Sequence, residues 1–571
     1  MTVAQTANES KMNGTLAKPW HSAGIFGCAF LFLVATMNRD INCYDESLIL
    51  FGAVRILSGD VPYRDFYANY GPAQYYVLAA LFKLFGTSVI VERLWDLIIR
   101  SSTILIIYLI INEAWSRRTA LATAFAAAFW LTSFEYYGYP VFPCLFFSLW
   151  SLYCALPMFK GRSEPIFPLA SGACIGMVAL FRYDIGALAT VGGLFTLGLF
   201  HLAQNYDANH KRKTLIRSTV AYVFGIMLVS VPVLFLLLSV VSLHDIWFNL
   251  VHLQASTYVR FRSLPFPSVA GIVRDAIHMK PSFVRDMTVY LPILGTLVGG
   301  VAAFPSGAKR LCVNADGERC LIRHRRWILV QLSAFSALFF LKGFVRVSVI
   351  HMALSIVPAL MIVCLTIEQW RQLPHKVAVI LFWFAFTCFT ISSLLPILST
   401  GKRLAENVLW IVDIDSLKRE SGTNSCYPPE GLERIRCFSI DSERLAAIHY
   451  IQQRTRENEY IYVGLNRHDK IIMNDIVIYF ASKRLSATKW HQFDPGIQTT
   501  KEIQSEIISD LRLRTPRYVV LNSEWDELKE PNESALSSGV MLLDDFLKAN
   551  YRLVASFGRL DIRELTTETP H

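Results

Sequence analysis

An adjacent pair of carboxylates, Asp45 and Glu46, follows the first apolar run of the chain in the stretch CYDESLILFGAVRILSG. A carboxylate held at a membrane surface can act as a general base toward the hydroxyl group of an acceptor. Arg55, Arg64 and Lys83 come soon afterwards, and such cations hold phosphate through charge-assisted hydrogen bonds. Carboxylates beside phosphate-binding cations suit the transfer of a group whose leaving group is a phosphate.

Two later polar segments add charged residues of the same kinds. FRYDIG supplies Arg182 and Asp184, and KGFVRVSVIH supplies Lys342, Arg346 and His351. Taken singly, each has an ordinary structural interpretation as a snorkelling or ion-paired group. Their recurrence on one predicted side of a membrane favours a chemical role. The cations are then candidate phosphate ligands, and Asp184 is a candidate acceptor-side group or metal ligand.

Structural interpretations of the other candidates stay open at this point. Asp45 precedes a helical stretch and can serve as its N-cap, with Glu46 as a favourable charge in the first turn. His351 can be a simple hydrogen-bonding group or a contact to a leaving phosphate. Arg260 and Arg262, in YVRFRSLPFPS, either bind an acidic ligand or belong to an aromatic interfacial loop.

The composition places these groups in a polytopic membrane protein. Of the 571 residues, 53% are hydrophobic and only 18% are charged, whereas a soluble domain has about 25% charged residues. The net charge of +10 suits basic cytoplasmic loops, and nucleic-acid partners are excluded because no basic stripe with interleaved aromatic residues occurs. About eleven transmembrane helices are predicted near 21–38, 92–114, 119–134, 143–158, 165–181, 185–203, 218–241, 288–304, 327–342, 349–367 and 377–398.

Basic residues predict the orientation of these helices. With the N-terminus in the cytoplasm, the inside loops hold the residues that the positive-inside rule requires, namely Arg117, Arg118, Lys160, Arg162, Lys211, Arg212, Lys213, Lys309, Arg310, Arg323, Arg325, Arg326, Arg371 and Lys376. We therefore predict a cytoplasmic tail at 1–20, a transmembrane domain at 21–400 and an extracytoplasmic domain at 401–571.

The first outer loop contains two short helical patterns. Residues 47–58 have apolar side chains at helical spacing, with Arg55 directed away from them. Residues 73–86 are apolar but too short to cross a bilayer. Both helices are expected to lie in the plane of the membrane surface, where they would hold Asp45 and Glu46.

The C-terminal region has a different pattern. EYIYVGL and RYVVLN predict strands, whereas NDIVIYFASKR and KEIQSEIISDLRLR predict helices. Alternating strands and helices indicate a small α/β domain, and no glycine-rich phosphate loop marks it as a nucleotide site. Cys426 and Cys437 can form a disulfide if the region is extracytoplasmic.

These features together resemble the GT-C superfamily of glycosyltransferases that use lipid-linked sugars. The similarity is to the bacterial branch that includes galacturonosyltransferases, aminoarabinose transferases of lipid A and protein O-mannosyltransferases. It is carried by YDESLILFGAVRILSG, by DVPYRDFYANYGPAQYYVLAALFKLFGTS, by the ERL at 92–94, by FRYDIGA and by the segment KRLSATKWHQFDPGIQTTKEIQSEIISDLRLRTPRYVVL.

The resemblance implies an inverting transfer from a polyprenyl-phosphate sugar to a lipid, glycan or protein hydroxyl of the cell envelope, at the outer face of a bacterial inner membrane. It implies Asp45 as catalytic base, Glu46 as its partner or substitute, and Lys83 near the phosphate of the donor. Several relatives have a further acidic motif in a later outer loop, for which this chain offers Asp184 and Asp245. The resemblance implies no certain cofactor and leaves a divalent cation open.

Two other classes of protein compete with a transferase. A multi-span lipid or solute transporter, or a flippase, would also carry charges within the membrane, although such proteins usually have paired repeats and helices broken near the midplane. A non-catalytic scaffold or sugar-binding membrane protein would tolerate loss of Asp45.

Overall fold

The computed structural model has a helical membrane domain followed by a small α/β domain, as the sequence predicts. It describes residues 19–204, 206–304, 316–368, 370, 373, 376–412, 426 and 430–566. The predicted tail at 1–20 lies almost wholly outside these residues, as do Lys309, Arg310 and Arg371 of the predicted inside loops.

The first half of the chain is helical from the first apolar run onward. Its helices are α1 Pro19–Ala35, α2 Asp45–Leu57, α3 Pro72–Phe85, α4 Val89–Asn112, α5 Arg117–Thr132, α6 Val141–Phe159, α7 Ile166–Phe181, α8 Tyr183–Leu202 and α9 Ala208–Leu238. Each apolar window predicted in this half overlaps one of these helices.

Short helices and π turns follow, and then longer helices resume. These elements are α10 Leu243–Trp247, π turns at Phe248–His252 and Gln254–Tyr258, α11 Val259–Arg262, α12 Val269–Ile277, α13 Ser282–Thr288, α14 Leu291–Ala302, α15 Asp316–Gly343, α16 Ala353–Ile367, α17 Lys376–Ser392 and α18 Leu394–Val412. Helix α18 continues past residue 400, where the sequence was expected to leave the membrane domain.

Within the described residues, six helical segments are long and apolar enough to cross a membrane: Val89–Asn112, Val141–Phe159, Tyr183–Leu202, Ala208–Leu238, Ser282–Ala303 and Lys376–Leu409. Pro19–Ala35, Ile166–Phe181 and Ala353–Ile367 are apolar but shorter. The membrane character is therefore confirmed, while the number of eleven crossings stays a prediction.

The two helices expected in the first loop are present as α2 and α3. Helix α2 begins at Asp45 because the side-chain carbonyl of Asn42 accepts hydrogen bonds from the amides of Tyr44 (3.0 Å) and Asp45 (2.8 Å). Asp45 is thus the first helical residue and not the cap. Helix α3 begins with Pro72, whose fixed φ suits a first helical position.

The C-terminal domain is built on a five-stranded sheet of order β2-β1-β3-β5-β4. Its elements are a 3₁₀ turn at Glu433–Ile435, α19 Ser442–Arg454, β1 Tyr460–Leu465, α20 Val477–Ser482, β2 Leu485–Ser486, α21 Lys501–Arg514, β3 Tyr518–Asn522, a 3₁₀ turn at Glu533–Ala535, α22 Leu542–Asn550, β4 Tyr551–Phe557 and β5 Leu560–Leu565. Strands β1, β2 and β3 are parallel, whereas β5 is antiparallel to β3 and β4. The predicted Cys426–Cys437 disulfide is present.

The C-terminal domain packs directly on helix α2 of the first loop. Phe51 stacks on Tyr479 with ring centroids 4.8 Å apart, and the amide of Val477 donates to the carbonyl of Cys43 at 3.2 Å. Helix α20 is buried along its whole length by this contact. The start of α2, where the acidic pair lies, is therefore held between the two domains.

Candidate functional site

A cavity of about 520 Å³ lies where the first loop, the α7–α8 junction, the stretch 251–262, the loop 341–351 and the C-terminal domain meet. Its charged and titratable lining includes Asp45, Arg182, Asp184, Arg262, Lys342, Arg346, His351 and Asp494. The structure thus brings together six residues that the sequence analysis named as candidates for chemistry, namely Asp45, Arg182, Asp184, Lys342, Arg346 and His351.

Asp45 reaches this cavity from the first turn of α2. Among the described residues its carboxylate has no hydrogen-bond or ion-pair partner, whereas its backbone amide donates to the side chain of Asn42. Burial raises the pKa of Asp45 to about 6, and the more distant Arg262 and Arg346 oppose that rise. A carboxylate with this pKa is mainly ionised at neutral pH and still basic enough to take up a proton.

Arg182 is aimed into the cavity by the break between two helices. Helix α7 ends at Phe181 and α8 begins at Tyr183, so Arg182 between them has an extended backbone. Its guanidinium binds Asp184 through two bonds of 2.8 and 3.1 Å, and Lys342 lies 3.6 Å from the same carboxylate. Two cations and one carboxylate thus lie together on this side of the cavity.

A glycine brings the first loop close to this junction. The amide of Gly71 donates to the carbonyl of Phe181 at 3.0 Å. A Cβ atom at Gly71 would collide with the backbone carbonyl of Leu180. The close approach therefore requires glycine and holds the start of α3 beside Arg182.

Two arginines of the cavity are paired with carboxylates of the C-terminal domain. Arg262 binds Asp494 at 2.8 Å, and Arg346 binds Glu530 at 2.6 and 3.0 Å. Arg346 also donates to the backbone carbonyl of Arg262 at 2.8 Å. These pairs connect the loops of the membrane domain to the C-terminal domain at the edge of the cavity.

Asp494 is the principal lining residue to which the sequence analysis gave no role. Besides Arg262, it accepts hydrogen bonds from Tyr44 at 3.1 Å, Tyr67 at 3.2 Å and Gln492 at 2.8 Å. Its only sequence signal is its place in the QFDPG turn, within a segment whose resemblance was already noted.

His351 lies opposite the first loop, with its Nδ1 atom 2.7 Å from the hydroxyl oxygen of Ser348. Burial holds the pKa of His351 well below its usual value, and the nearby cations Arg346 and Lys342 act in the same direction. The imidazole is therefore neutral at physiological pH and can offer one hydrogen bond without adding charge.

Glu46 lies outside the cavity lining, contrary to its expected role as partner of Asp45. Its side chain is fully buried and binds Arg93 of α4 at 2.6 and 2.8 Å. It also accepts the amide of Asn42 at 2.9 Å. Because the first turn of a helix directs successive side chains about 100° apart, neighbouring carboxylates face different surroundings.

Three further predicted phosphate ligands, Arg55, Arg64 and Lys83, also lie outside the cavity lining. Arg55 is buried, not directed away as expected, because the C-terminal domain covers α2; it binds Asp60 at 2.7 Å and the carbonyl of Thr488 at 3.0 Å. Arg64 is exposed and pairs with its neighbour in the chain. Lys83 is exposed in the last turn of α3.

Metal binding was left open by the sequence. Among the residues that the structure describes, no group of three or more His, Cys, Asp and Glu side chains is arranged to hold a metal ion.

Comparisons with known proteins give no matching family model and no matching curated protein, but solved structures do match. The chain is similar to ArnT from Cupriavidus metallidurans in the apo state, with a TM-score of 0.53, 13% identity, and coverage of 96% of this chain and 98% of that chain. The likeness to ArnT bound to undecaprenyl phosphate has a TM-score of 0.51, 13% identity, and coverage of 96% and 99%.

A second similar structure comes from an archaeon. It is the oligosaccharyltransferase AglB from Archaeoglobus fulgidus, in complex with an inhibitory peptide and a dolichol-phosphate. The TM-score is 0.50 at 12% identity, and the match covers 97% of this chain and 75% of that chain. Identities this low show a likeness of fold alone, so the chain shares the overall fold of these solved structures.

Proposed function

We propose that this protein is an inverting membrane glycosyltransferase that moves a sugar from a polyprenyl-phosphate donor to a hydroxyl group of a cell-envelope lipid, glycan or protein. The observation that carries this proposal is the carboxylate of Asp45, which has no bonded partner among the residues the structure describes, in one cavity with Arg182 and Lys342. The likeness of fold to ArnT bound to undecaprenyl phosphate, and to AglB in complex with a dolichol-phosphate, supports the lipid-linked donor.

In the proposed reaction, Asp45 is the general base. It accepts the proton of the acceptor hydroxyl while the acceptor oxygen forms a bond to the anomeric carbon of the sugar. The bond between that carbon and the phosphate oxygen breaks, and its electron pair leaves with the polyprenyl phosphate. A pKa of about 6 for Asp45 suits a base that works near neutral pH.

The leaving phosphate is assigned to the cationic side of the cavity. Arg182 binds Asp184 at 2.8 Å, and Lys342 lies 3.6 Å from the same carboxylate, so two cations line this side of the cavity. An arginine can present two parallel donors to phosphate oxygens. A neutral His351 beside them can donate a further hydrogen bond. Charge that develops on the phosphate would thus meet donors already in place.

Glu46 then has a positioning role. Its ion pair with Arg93 and its bond to the amide of Asn42 fix the residues that begin α2. Asn42 in turn caps the amide of Asp45. We assign to this chain of contacts the orientation of the Asp45 carboxylate toward the cavity.

The predicted orientation puts the cavity at the outer face of a bacterial inner membrane. The segments around it, including 135–142, 182–184 and 343–348, belong to loops expected outside because the intervening loops carry the basic residues. A polyprenyl chain of the donor would lie in the bilayer beside helix α3, which is expected in the plane of the membrane surface.

The test is sugar transfer by the purified full-length chain in liposomes, supplied with a panel of polyprenyl-phosphate sugars and an envelope extract as acceptor. Release of polyprenyl phosphate is followed. We expect release with one donor class, and a fall of about 10²- to 10⁴-fold in Asp45→Asn, the range that a general base contributes.

Asp245→Asn is the matched control. Asp245 is a second outer-loop aspartate and lies outside the cavity lining, where it bonds to Ser242. Its variant should retain the wild-type rate. An Asp45→Asn protein that transfers sugar at the wild-type rate would refute the assignment. Counterflow of an intact lipid or solute without release would favour a transporter.

A further inference from the structure

A second cavity, of about 290 Å³, lies at the far end of helix α8 from the first. The first cavity is lined by Tyr183 and Asp184 at the start of α8, and the second by Phe200 and His201 at its end. A helix of this length, 20 residues, spans about 30 Å, which is close to the thickness of the hydrocarbon core. The two cavities thus face opposite membrane surfaces.

The polar groups of the second cavity suit an anion. His201 is only 6% exposed, and its Nε2 atom lies 3.0 Å from the hydroxyl oxygen of Ser218. Its buried Nδ1 atom has no hydrogen-bond partner within the described part of the chain. Arg217 also lines the cavity and has no ion-pair partner among the described residues. Arg162 and Glu164 line it as well and pair with each other at 3.0 Å, so the charge of this carboxylate is balanced within the lining.

An apolar groove of about 590 Å³ adjoins this cavity, and Arg217 lines both. The groove lies between α7 and α9, which pack closely because Gly225 leaves room for the carbonyl of Leu169. Its basic residues, Lys213 and Arg217, are one turn apart on α9. Both residues lie near the N-terminal end of α9, which is predicted to be at the cytoplasmic surface.

Apart from these two basic residues, the groove is lined by apolar side chains. Ile216, Val220 and Phe224 follow at helical spacing and are 50%, 61% and 55% exposed. Together, the groove and the cavity form a polar pocket with an adjoining apolar channel. Basic pockets between transmembrane helices on the cytoplasmic side suit the phosphate of a lipid head group.

We propose that the second cavity and this groove form a binding site for one anionic phospholipid of the cytoplasmic leaflet. The phosphate lies between His201 and Arg217, where the Nδ1–H of His201 donates to a phosphate oxygen while its Nε2 accepts from Ser218. One acyl chain lies along Val220 and Phe224. The site is separate from the proposed reaction and does not depend on it.

The test is equilibrium binding to the delipidated full-length protein in detergent, measured by native mass spectrometry. Phosphatidylglycerol, phosphatidylcholine with the same acyl chains, and glycerol 3-phosphate without chains are titrated separately. We expect phosphatidylglycerol to bind about tenfold or more tightly than phosphatidylcholine. Glycerol 3-phosphate should not bind in the same concentration range.

Two variants of helix α9 complete the experiment. Arg217→Gln should weaken phosphatidylglycerol binding about tenfold. Arg212→Gln removes the same charge from an exposed residue of the same helix outside both linings and should bind as the wild type does. Equal loss in the two variants would reduce the effect to general surface charge and overturn the proposal. Equal binding of phosphatidylcholine would also overturn it, and glycerol 3-phosphate binding as strong as phosphatidylglycerol would identify a free-anion site.

Discussion

Asp45 and Glu46 are neighbours in the chain, yet their surroundings are opposite. Asp45 opens into a cavity and has no bonded partner for its carboxylate among the described residues. Glu46 is sealed in an ion pair with Arg93, and both side chains are 2% exposed or less. The difference indicates how a site can keep one reactive carboxylate while its neighbour fixes the backbone.

Helix α4 carries further buried charged residues of the same kind as Glu46. It carries Glu92, Arg93, Asp96 and Arg100 on one buried face, and Asp96 binds Arg100 at 2.8 Å. In the cavity, by contrast, several charges remain accessible to a ligand. Buried ion pairs of this kind give little net stability but cost several kcal/mol when only one partner is removed.

Apart from the loss of transfer in Asp45→Asn, the largest expected effect is a loss of stability when Glu46 is changed. Glu46→Gln leaves Arg93 without its main counter-charge and should cost about 3 kcal/mol. We expect a lowered melting temperature in detergent, whereas Asp45→Asn should melt no lower than the wild type. The thermal unfolding of both variants is measured in parallel with sugar transfer at a temperature where both are folded.

The reverse pattern would contradict this division of roles. If Glu46→Gln abolished transfer and left unfolding unchanged, Glu46 and not Asp45 would be the reacting carboxylate. Arg93→Gln provides an independent check because it breaks the same pair from the other helix. It should lower the melting temperature to a similar extent.

A smaller effect is the dependence of transfer on pH. Asp45 must be deprotonated to act as base, and burial raises its pKa to about 6. The rate should therefore fall as the pH drops through this value, about tenfold for each further unit. A rate profile from about pH 4 to about pH 8 is compared for the wild type and Asp245→Asn, which should share the same midpoint. A wild-type rate that stays flat down to about pH 4, the ordinary range of an aspartate, would contradict a buried base.

The raised pKa of Asp45 also makes the stability of the folded state depend on pH. Because the pKa of Asp45 is raised in the folded state, the folded protein binds a proton more tightly than the unfolded chain does. Ionisation of Asp45 therefore destabilises the folded state as the pH rises from its unfolded pKa through about 6. Asp45→Asn removes this cost, which is why it is expected to melt no lower than the wild type at neutral pH.

The helices and the cavity cations could be predicted from the sequence because local patterns mark them. Apolar spacing predicts α2 and α3, and Arg182 and Arg346 lie in short polar segments between long apolar runs. Asp494 could not be found this way because its place depends on contacts with Tyr44 and Tyr67, more than four hundred residues earlier in the chain.

The misplaced candidates have a common physical cause. Arg55 was expected on an open face of α2, but the C-terminal domain covers that face and supplies the carbonyl of Thr488 as a partner. Glu46 was grouped with Asp45 by adjacency, whereas its position is decided by Arg93 on another helix. Local pattern identifies which residues are charged at a surface, and tertiary packing decides which of them remain available to a ligand.

The smallest expected effect is on the KM for the donor, and it tests whether charges outside the cavity contribute to donor binding. Arg64 was a predicted phosphate ligand, but it is exposed and pairs with Asp65 at 2.7 Å. Exposed pairs of this kind contribute about 0–1 kcal/mol, so Arg64→Gln should change the KM for the lipid-linked donor by less than about twofold. Arg182→Gln, which removes a cation from inside the cavity, should raise that KM by about tenfold. Donor titrations of the two variants in the same liposomes decide the matter, because an equal rise in both would mean that the donor phosphate is held by the general positive charge of the outer loops and not by the cavity.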